Sequence, residues 1–346
     1  MDKLNSIEDG IDRDKEFKKV KNGNVKTQVL EYQELYPFDK YPGEFPVRIL
    51  KNQFSKYFNH YSKSVENILG GMNENRIIDK IIWEFGEDKV QIPNCSIPKN
   101  GKCQITLYES YLAYLWGITY FIFLHHEAKA QHDNGISHND EFFITDKMLS
   151  RSEILFRWAL SLRTKINAWD SNLPSPLPTA ILIDSEAAYC WQVSELFCYA
   201  LTFIAYHELS HGFYGIDHHI DSKRQEQDAD NLAMSFMKDP LPTIPKDLSV
   251  LGILLASIST LFLLRSPHYI SSKTHPDPDS RIFNVLENMV DKSDGLRESY
   301  ENVVIIAFRT FSLVQGINDE KVMRETGRTP IQIIELYQEL FDNYRS

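Results

Sequence analysis

The run His207-Glu208-Leu209-Ser210-His211 has the residue types and the spacing for metal-assisted hydrolysis. On a helix, residues at i and i+4 stand one turn apart on one face, so two imidazoles can bond a single ion. Zinc suits such a pair, with Zn–N bonds of about 2.0–2.1 Å. Glu208, one residue on, lies beside that face rather than on it. Its carboxylate can act as general base towards a water that the ion has acidified to a pKa near 7. His126-Glu127 is a second His-Glu pair, but Ala130 stands where the second histidine is needed, and the pair reads as a solvated helix end.

A catalytic zinc needs three protein ligands. The apolar run Leu201 to Tyr206 places the histidines on a buried helix, where a bare pair is costly without a metal or partner. Gly212 and Gly215 let the chain leave that helix, and Ser222-Lys223-Arg224-Gln225 reads as a capping box opening the next one. Glu226 and Asp230 stand on this second helix, again at i and i+4. Packed as an αα-hairpin, the two helices aim Glu226 at the histidine pair. Glu226 is then the third zinc ligand, and Asp230 accepts a hydrogen bond from a ligand histidine and fixes its tautomer. Asp217 is the rival third ligand, at the spacing used by metzincin-like enzymes, although Tyr214 stands where those enzymes need a glycine. His218 and His219 are further rivals in the same loop.

These residues need a scaffold, and the pattern along the chain is mostly helical. Residues 1–25 alternate charges, lack the apolar core of a signal peptide, and read as a flexible tail. From Lys26 to about Asn100, prolines break up short apolar runs. Gln104 to Tyr108 predicts a strand, Glu109 to Lys129 a helix, and Asp146 to Ile166 another helix. The proline-rich stretch 170–178 is the best boundary candidate. A short strand over Ala180–Ile183 and a long helix over Ser185–Tyr214 follow. The expected fold is mainly α with a few short strands, an α+β arrangement. It divides into a tail over 1–25, a region over 26–178 that is a candidate part of the cleft, and a peptidase core over 179–346.

Composition narrows the classes. The chain has 346 residues, 42% hydrophobic and 25% charged, which suits a folded protein with a large core. Its 37 basic and 48 acidic residues leave a formal charge of −11, which argues against nucleic-acid binding. The cysteines Cys95, Cys103, Cys190 and Cys198 lack C-x-x-C spacing and read as free thiols in a reducing, cytoplasmic setting. Leu248 to Leu264 is uncharged, but at helical pitch it rises about 25 Å, just short of a bilayer's apolar thickness. With a mean hydropathy of −0.34 for the chain, a buried core helix is expected there rather than a stable membrane span.

The order His207-Glu208-x-x-His211, then Glu226-x-x-Ala229-Asp230, resembles the paired motifs of HtpX-like and prenyl-protein-processing gluzincin peptidases. Downstream, Thr274-His275-Pro276 to Arg281-Ile282 resembles the T-H-P…R-I element of that group. HtpX-like enzymes carry a long membrane-associated insert between the histidine pair and the glutamate, whereas here only residues 212–225 intervene. The compact arrangement is more similar to the phage-exclusion Lit-like peptidases, a bacterial group implicated in abortive infection through cleavage of a translation elongation factor. The likeness runs from about Leu201 to Ile282. It implies a gluzincin-type core built on the HExxH helix and a following glutamate-bearing helix, with zinc as cofactor. It also implies an intracellular protein substrate such as a translation factor, and a phage-derived activator. By the same resemblance His275 lines the cleft and donates a hydrogen bond to the oxyanion of the tetrahedral intermediate, while Arg281 holds its loop to the catalytic helix.

Three other readings stand beside this one. The enzyme could sit at the membrane, anchored by Leu248–Leu264; the chain could be a peptidase-like sensor that binds without cleaving; or the motif could be coincidental in a metal-free helical protein. Glu208 speaks against the sensor, since a binding module needs no general base.

Overall fold

The computed structural model describes residues 45–68, 78–84, 89–96, 103–136, 142–170, 172–176, 184–214, 222–238, 246–271 and 275–345. The expected tail over 1–25 and the strand over Ala180–Ile183 lie outside these residues.

A 3-10 turn at Pro46–Leu50 leads into α1 (Lys51–His60) and α2 (Ser62–Ile68). A small sheet follows, built from β1 (Ile78–Glu84), β2 (Asn94–Ser96) and β3 (Cys103–Tyr108). The sheet order is β1-β3-β2, with β1 parallel and β2 antiparallel to the central β3, so β2 is an edge strand. The rest is helical: α3 (Glu109–Asp133), α4 (Asp146–Ser161), α5 (Asp184–Tyr214), α6 (Ser222–Met237), α7 (Lys246–Leu263), a 3-10 turn at Pro267–Tyr269, α8 (Pro278–Met289), α9 (Arg297–Gln315), α10 (Glu320–Met323) and α11 (Pro330–Asp342). The protein is thus mainly α with few strands, as its sequence pattern indicates.

Three helices, α3, α5 and α7, are apolar around most of their circumference, the pattern of helices surrounded by protein. They pack on one another at the centre, and the amphipathic helices α4, α6, α8 and α9 cover them. Gly252 of α7 shows how close the central crossing is. A Cβ there would stand 2.3 Å from Tyr199 Cβ of α5, so only glycine fits. One continuous core joins residues from Phe45 to Phe341 and includes side chains from both sides of the 170–178 break. The helix α7 is long and apolar enough to cross a membrane, but 67% of that window is buried inside the protein.

Three local expectations are corrected. The helix α4 stops at Ser161 rather than Ile166. The chain tightens there into i→i+3 bonds, and Arg163 turns to donate to the Phe262 and Leu264 carbonyls at the end of α7. His126 is not at a solvated helix end. The helix α3 runs a further turn and more, and His126 is buried within 3.0 Å of Ser299 Oγ. Cys95 and Cys103 are paired across β2 and β3 with their Cα atoms 6.4 Å apart, so only Cys190 and Cys198 are free thiols. The antiparallel register puts Cys95 opposite Ile105, two residues from Cys103, a proximity that C-x-x-C arithmetic does not detect.

Candidate active site

The buried helix α5 delivers His207, Glu208 and His211 near its end, and α6 packs against it carrying Glu226 and Asp230. The helix α6 begins at Ser222, where its sequence signal lies. His207 Nε2 is 3.0 Å from His211 Nε2. Glu226 closes the triangle, with Oε2 3.3 Å from His207 Nε2 and Oε1 3.3 Å from His211 Nε2. These three residues form a group able to hold a metal ion. A tetrahedral centre with bonds of about 2.0–2.1 Å has ligand-to-ligand edges of roughly 3.3 Å, so the donor atoms are spaced for zinc. Asp217, His218 and His219, the rival ligands, lie outside the described residues, as do Gly215 and Thr274.

Behind this triangle, Asp230 Oδ1 is 2.8 Å from His207 Nδ1. Arg281, in the first turns of α8, grips the same carboxylate with Nε at 2.7 Å and Nη2 at 2.6 Å. Burial alone would push the His207 imidazole down, but the Asp230 and Glu226 carboxylates outweigh it and raise the pKa to about 10. Burial opposes the charged form of Asp230 too, yet Arg281 and His207 bring that carboxyl down to about 2. Glu226 likewise resists its burial through its bonds to both histidines and is held well below the usual carboxylate range. This centre therefore gathers two carboxylates that stay ionised beside two imidazoles, an environment that favours a cation.

Glu208 sits apart from the triangle. It is 9% exposed, and burial pushes its carboxyl up, while His207, His211 and the N–H donated by Cys95 pull it back. A carboxyl held above its ordinary range and open to the cleft is suited to taking a proton. The Cys95 contact comes from the edge strand, and Gly212 makes it possible. A Cβ at Gly212 would lie 2.9 Å from Cys103 Sγ and 3.1 Å from Cys95 Sγ. Gly212 thus lies inside α5, which continues to Tyr214, and serves close packing on the sheet rather than helix exit.

These groups open onto a cleft of about 750 Å³. It is lined by the His207–Glu226 centre, by β2 with Ile92 and Pro93 before it, and by an apolar wall of Phe203, Ile204, Ala256, Leu263 and Leu264. His275 is at the rim, with Nε2 3.7 Å from Glu226 Oε1 and its side chain 58% exposed. All seven residues singled out in the sequence, His207, Glu208, His211, Glu226, Asp230, His275 and Arg281, meet at this one place.

Sequence reasoning missed the Ile92–Ser96 wall, Tyr111 and the α7 face. Tyr111 lines the cleft from α3 and hydrogen-bonds Ser259 of α7 at 3.2 Å. Ser257 and Thr260 line the cleft from α7, but Ser249 and Ser259 of the same helix are polar too, so polarity along α7 carried no clear signal for its cleft side. For β2 there was none either, because a three-residue strand carries too little pattern.

A family model described as Peptidase U49 matches residues 105–300, more than half of the chain. The chain is also 28% identical over 224 residues to the Cell death peptidase of Escherichia coli (strain K12), an alignment covering 62% of this chain and 71% of the relative. No solved structure matches.

Proposed function

Since the chain belongs to the Peptidase U49 family, a Lit-like group of peptidases, we propose that it is a zinc-dependent endopeptidase of gluzincin type acting on a protein inside the same cell. The observation that carries this reading is the triangle of His207, His211 and Glu226 atoms at 3.0–3.3 Å, with Glu208 beside it in the same cleft. A zinc ion held by those three residues supplies Lewis acidity, which lowers the pKa of water and polarises a carbonyl.

The chain's own residues do the rest. Glu208 takes the proton of the attacking water and later returns it to the leaving amine, a task that suits a carboxyl whose affinity for protons is raised by burial. Asp230 keeps the His207 ring in one tautomer and orientation, and Arg281 keeps Asp230. His275 donates a hydrogen bond to the developing oxyanion, worth roughly 10²–10³ in kcat on the usual scale for one such donor. A substrate chain would lie along the β2 wall, with a large apolar side chain against Phe203, Ile204 and Leu264. The Lit-like resemblance makes a translation factor the leading substrate, a phage component the activator, and the cytoplasm the place of action.

The test is metal content together with cleavage. Protein purified without added zinc should carry about one zinc per chain. Expressed in cells, it should create new protein termini that the Glu208→Gln variant does not. Protein that neither carries zinc nor takes it up would remove the metallopeptidase reading. Cleavage that persists in Glu208→Gln would remove the role of Glu208.

A further inference from the structure

Of the described residues between α7 and α8, Tyr269, His275 and Pro276 line the cleft. The described residues here are fastened at a few points. Ile270 among them is fully buried. The His268 ring lies 5.9 Å from the Tyr344 ring, just past α11. Arg345, the next residue, reaches the start of α8. Its guanidinium meets Asp277, with Nε 3.4 Å from Oδ2, and it also pairs with Asp279 and Asp342. Asp277 takes a second cation, Lys223 Nζ of α6, at 3.4 Å.

Asp277 and Asp279 occupy the N-cap and first turn of α8, where the helix dipole already favours negative charge. A guanidinium at that end is disfavoured by the dipole, so these carboxylates are what hold it there. The Asp279 side chain is 0% exposed. Without Arg345 it would be a buried carboxylate lacking its counter-charge, an arrangement relieved only by protonation or by moving the turn outward. On one side of this turn stands His275, whose Nε2 is 3.7 Å from Glu226. On the other stands Arg281, tied separately to Asp230 by its own two bonds.

We infer that Arg345 is a positioning residue for hydrolysis: by clamping Asp277 and Asp279 it fixes the start of α8, so that His275 is held at the cleft beside Glu226. This rests on the peptidase reading for what His275 does. The metal group is on α5 and α6; the clamp reaches α6 only through Asp277 and its partner Lys223, and Arg281 keeps its own two bonds to Asp230, so zinc stoichiometry should survive loss of Arg345.

The test uses the zinc-loaded full chain with Arg345→Ala and Arg345→Lys, each also made in a His275→Ala background. Amide exchange is followed by mass spectrometry. Cleavage is followed on a denatured peptide library, and rates are then taken on its fastest-cleaved peptide. Arg345→Ala should speed exchange about tenfold over 276–282, leaving α3 and α5 unchanged. It should lower kcat about 10–100-fold, the scale of a misplaced catalytic group, with KM and zinc content nearly constant. Lysine keeps the charge without the fork and should restore part of the rate. In the His275→Ala background, Arg345→Ala should cost nothing further. An equal loss of rate in both backgrounds, exchange that does not change, or exchange that rises equally in α3 and α5, would each overturn the proposal. Zinc-loaded wild type that cleaves no library peptide counts against the peptidase reading instead, and the exchange data alone then decide whether the clamp exists.

Discussion

Asp230 lies 2.8 Å from His207 on the Nδ1 side of the ring, while Nε2 on the opposite side faces His211 and Glu226. One imidazole thus has each nitrogen committed to a different partner. A carboxylate at Nδ1 makes that nitrogen the donor, leaves the Nε2 lone pair for a metal, and sets the plane in which it points.

Asp230→Asn should therefore weaken zinc binding by roughly 10–100-fold, the usual range for loss of an outer hydrogen-bonding partner, without changing the one-to-one stoichiometry. Asparagine is preferable to alanine here, because it keeps the side-chain shape and one oxygen that accepts from the Arg281 guanidinium, although either change removes the counter-charge of that buried group. Competition with a chromophoric chelator measures the constant, and wild-type affinity would make Asp230 a structural partner of Arg281 only.

Glu226→Ala should abolish stoichiometric zinc, whereas Asp217→Ala should retain it. Two histidines alone leave the ion one protein ligand short of a catalytic site, and the Glu226 oxygens stand 3.3 Å from both rings. Metal analysis after dialysis is sufficient. Zinc kept by Glu226→Ala and lost by Asp217→Ala would reverse the assignment.

Glu208→Gln should keep fold and zinc while lowering proteolysis by about 10²–10⁴, the loss expected for a general base. The amide preserves shape and one acceptor for the Cys95 N–H but cannot take a proton. In cells the same change should abolish any growth arrest. A variant with zinc bound and full biological activity would favour a binding module.

Gly212→Ala should lower stability by about 1–3 kcal/mol, the common range for overpacking a filled core. The new methyl would stand 2.9 Å from Cys103 Sγ and 3.0 Å from its Cβ, with no flexible side-chain end to yield. Because relief requires β2 and β3 to move off α5, activity should fall further than stability does. Chemical denaturation and cleavage rates measured together check both parts, and an unperturbed midpoint would show that the sheet yields freely.

The sequence by itself determined the parts of the site that lie on one helix. Spacing of four places His207 and His211 on one face, and Glu226 and Asp230 on another, because the helical repeat is local and owes nothing to the rest of the chain. Long apolar runs likewise marked α3, α5 and α7 as buried helices. The tertiary structure alone decided how those faces meet: that Glu226 closes on both histidines, that β2 supplies the N–H at Glu208, that Cys95 and Cys103 pair, and that Arg345 reaches Asp279. Each of these joins separate elements, eight residues apart at Cys95 and Cys103 and 66 apart at Asp279 and Arg345. Their approach is set by packing among many side chains at once, such as the contact at Gly252 that brings α7 against α5, and no short stretch of residues encodes it.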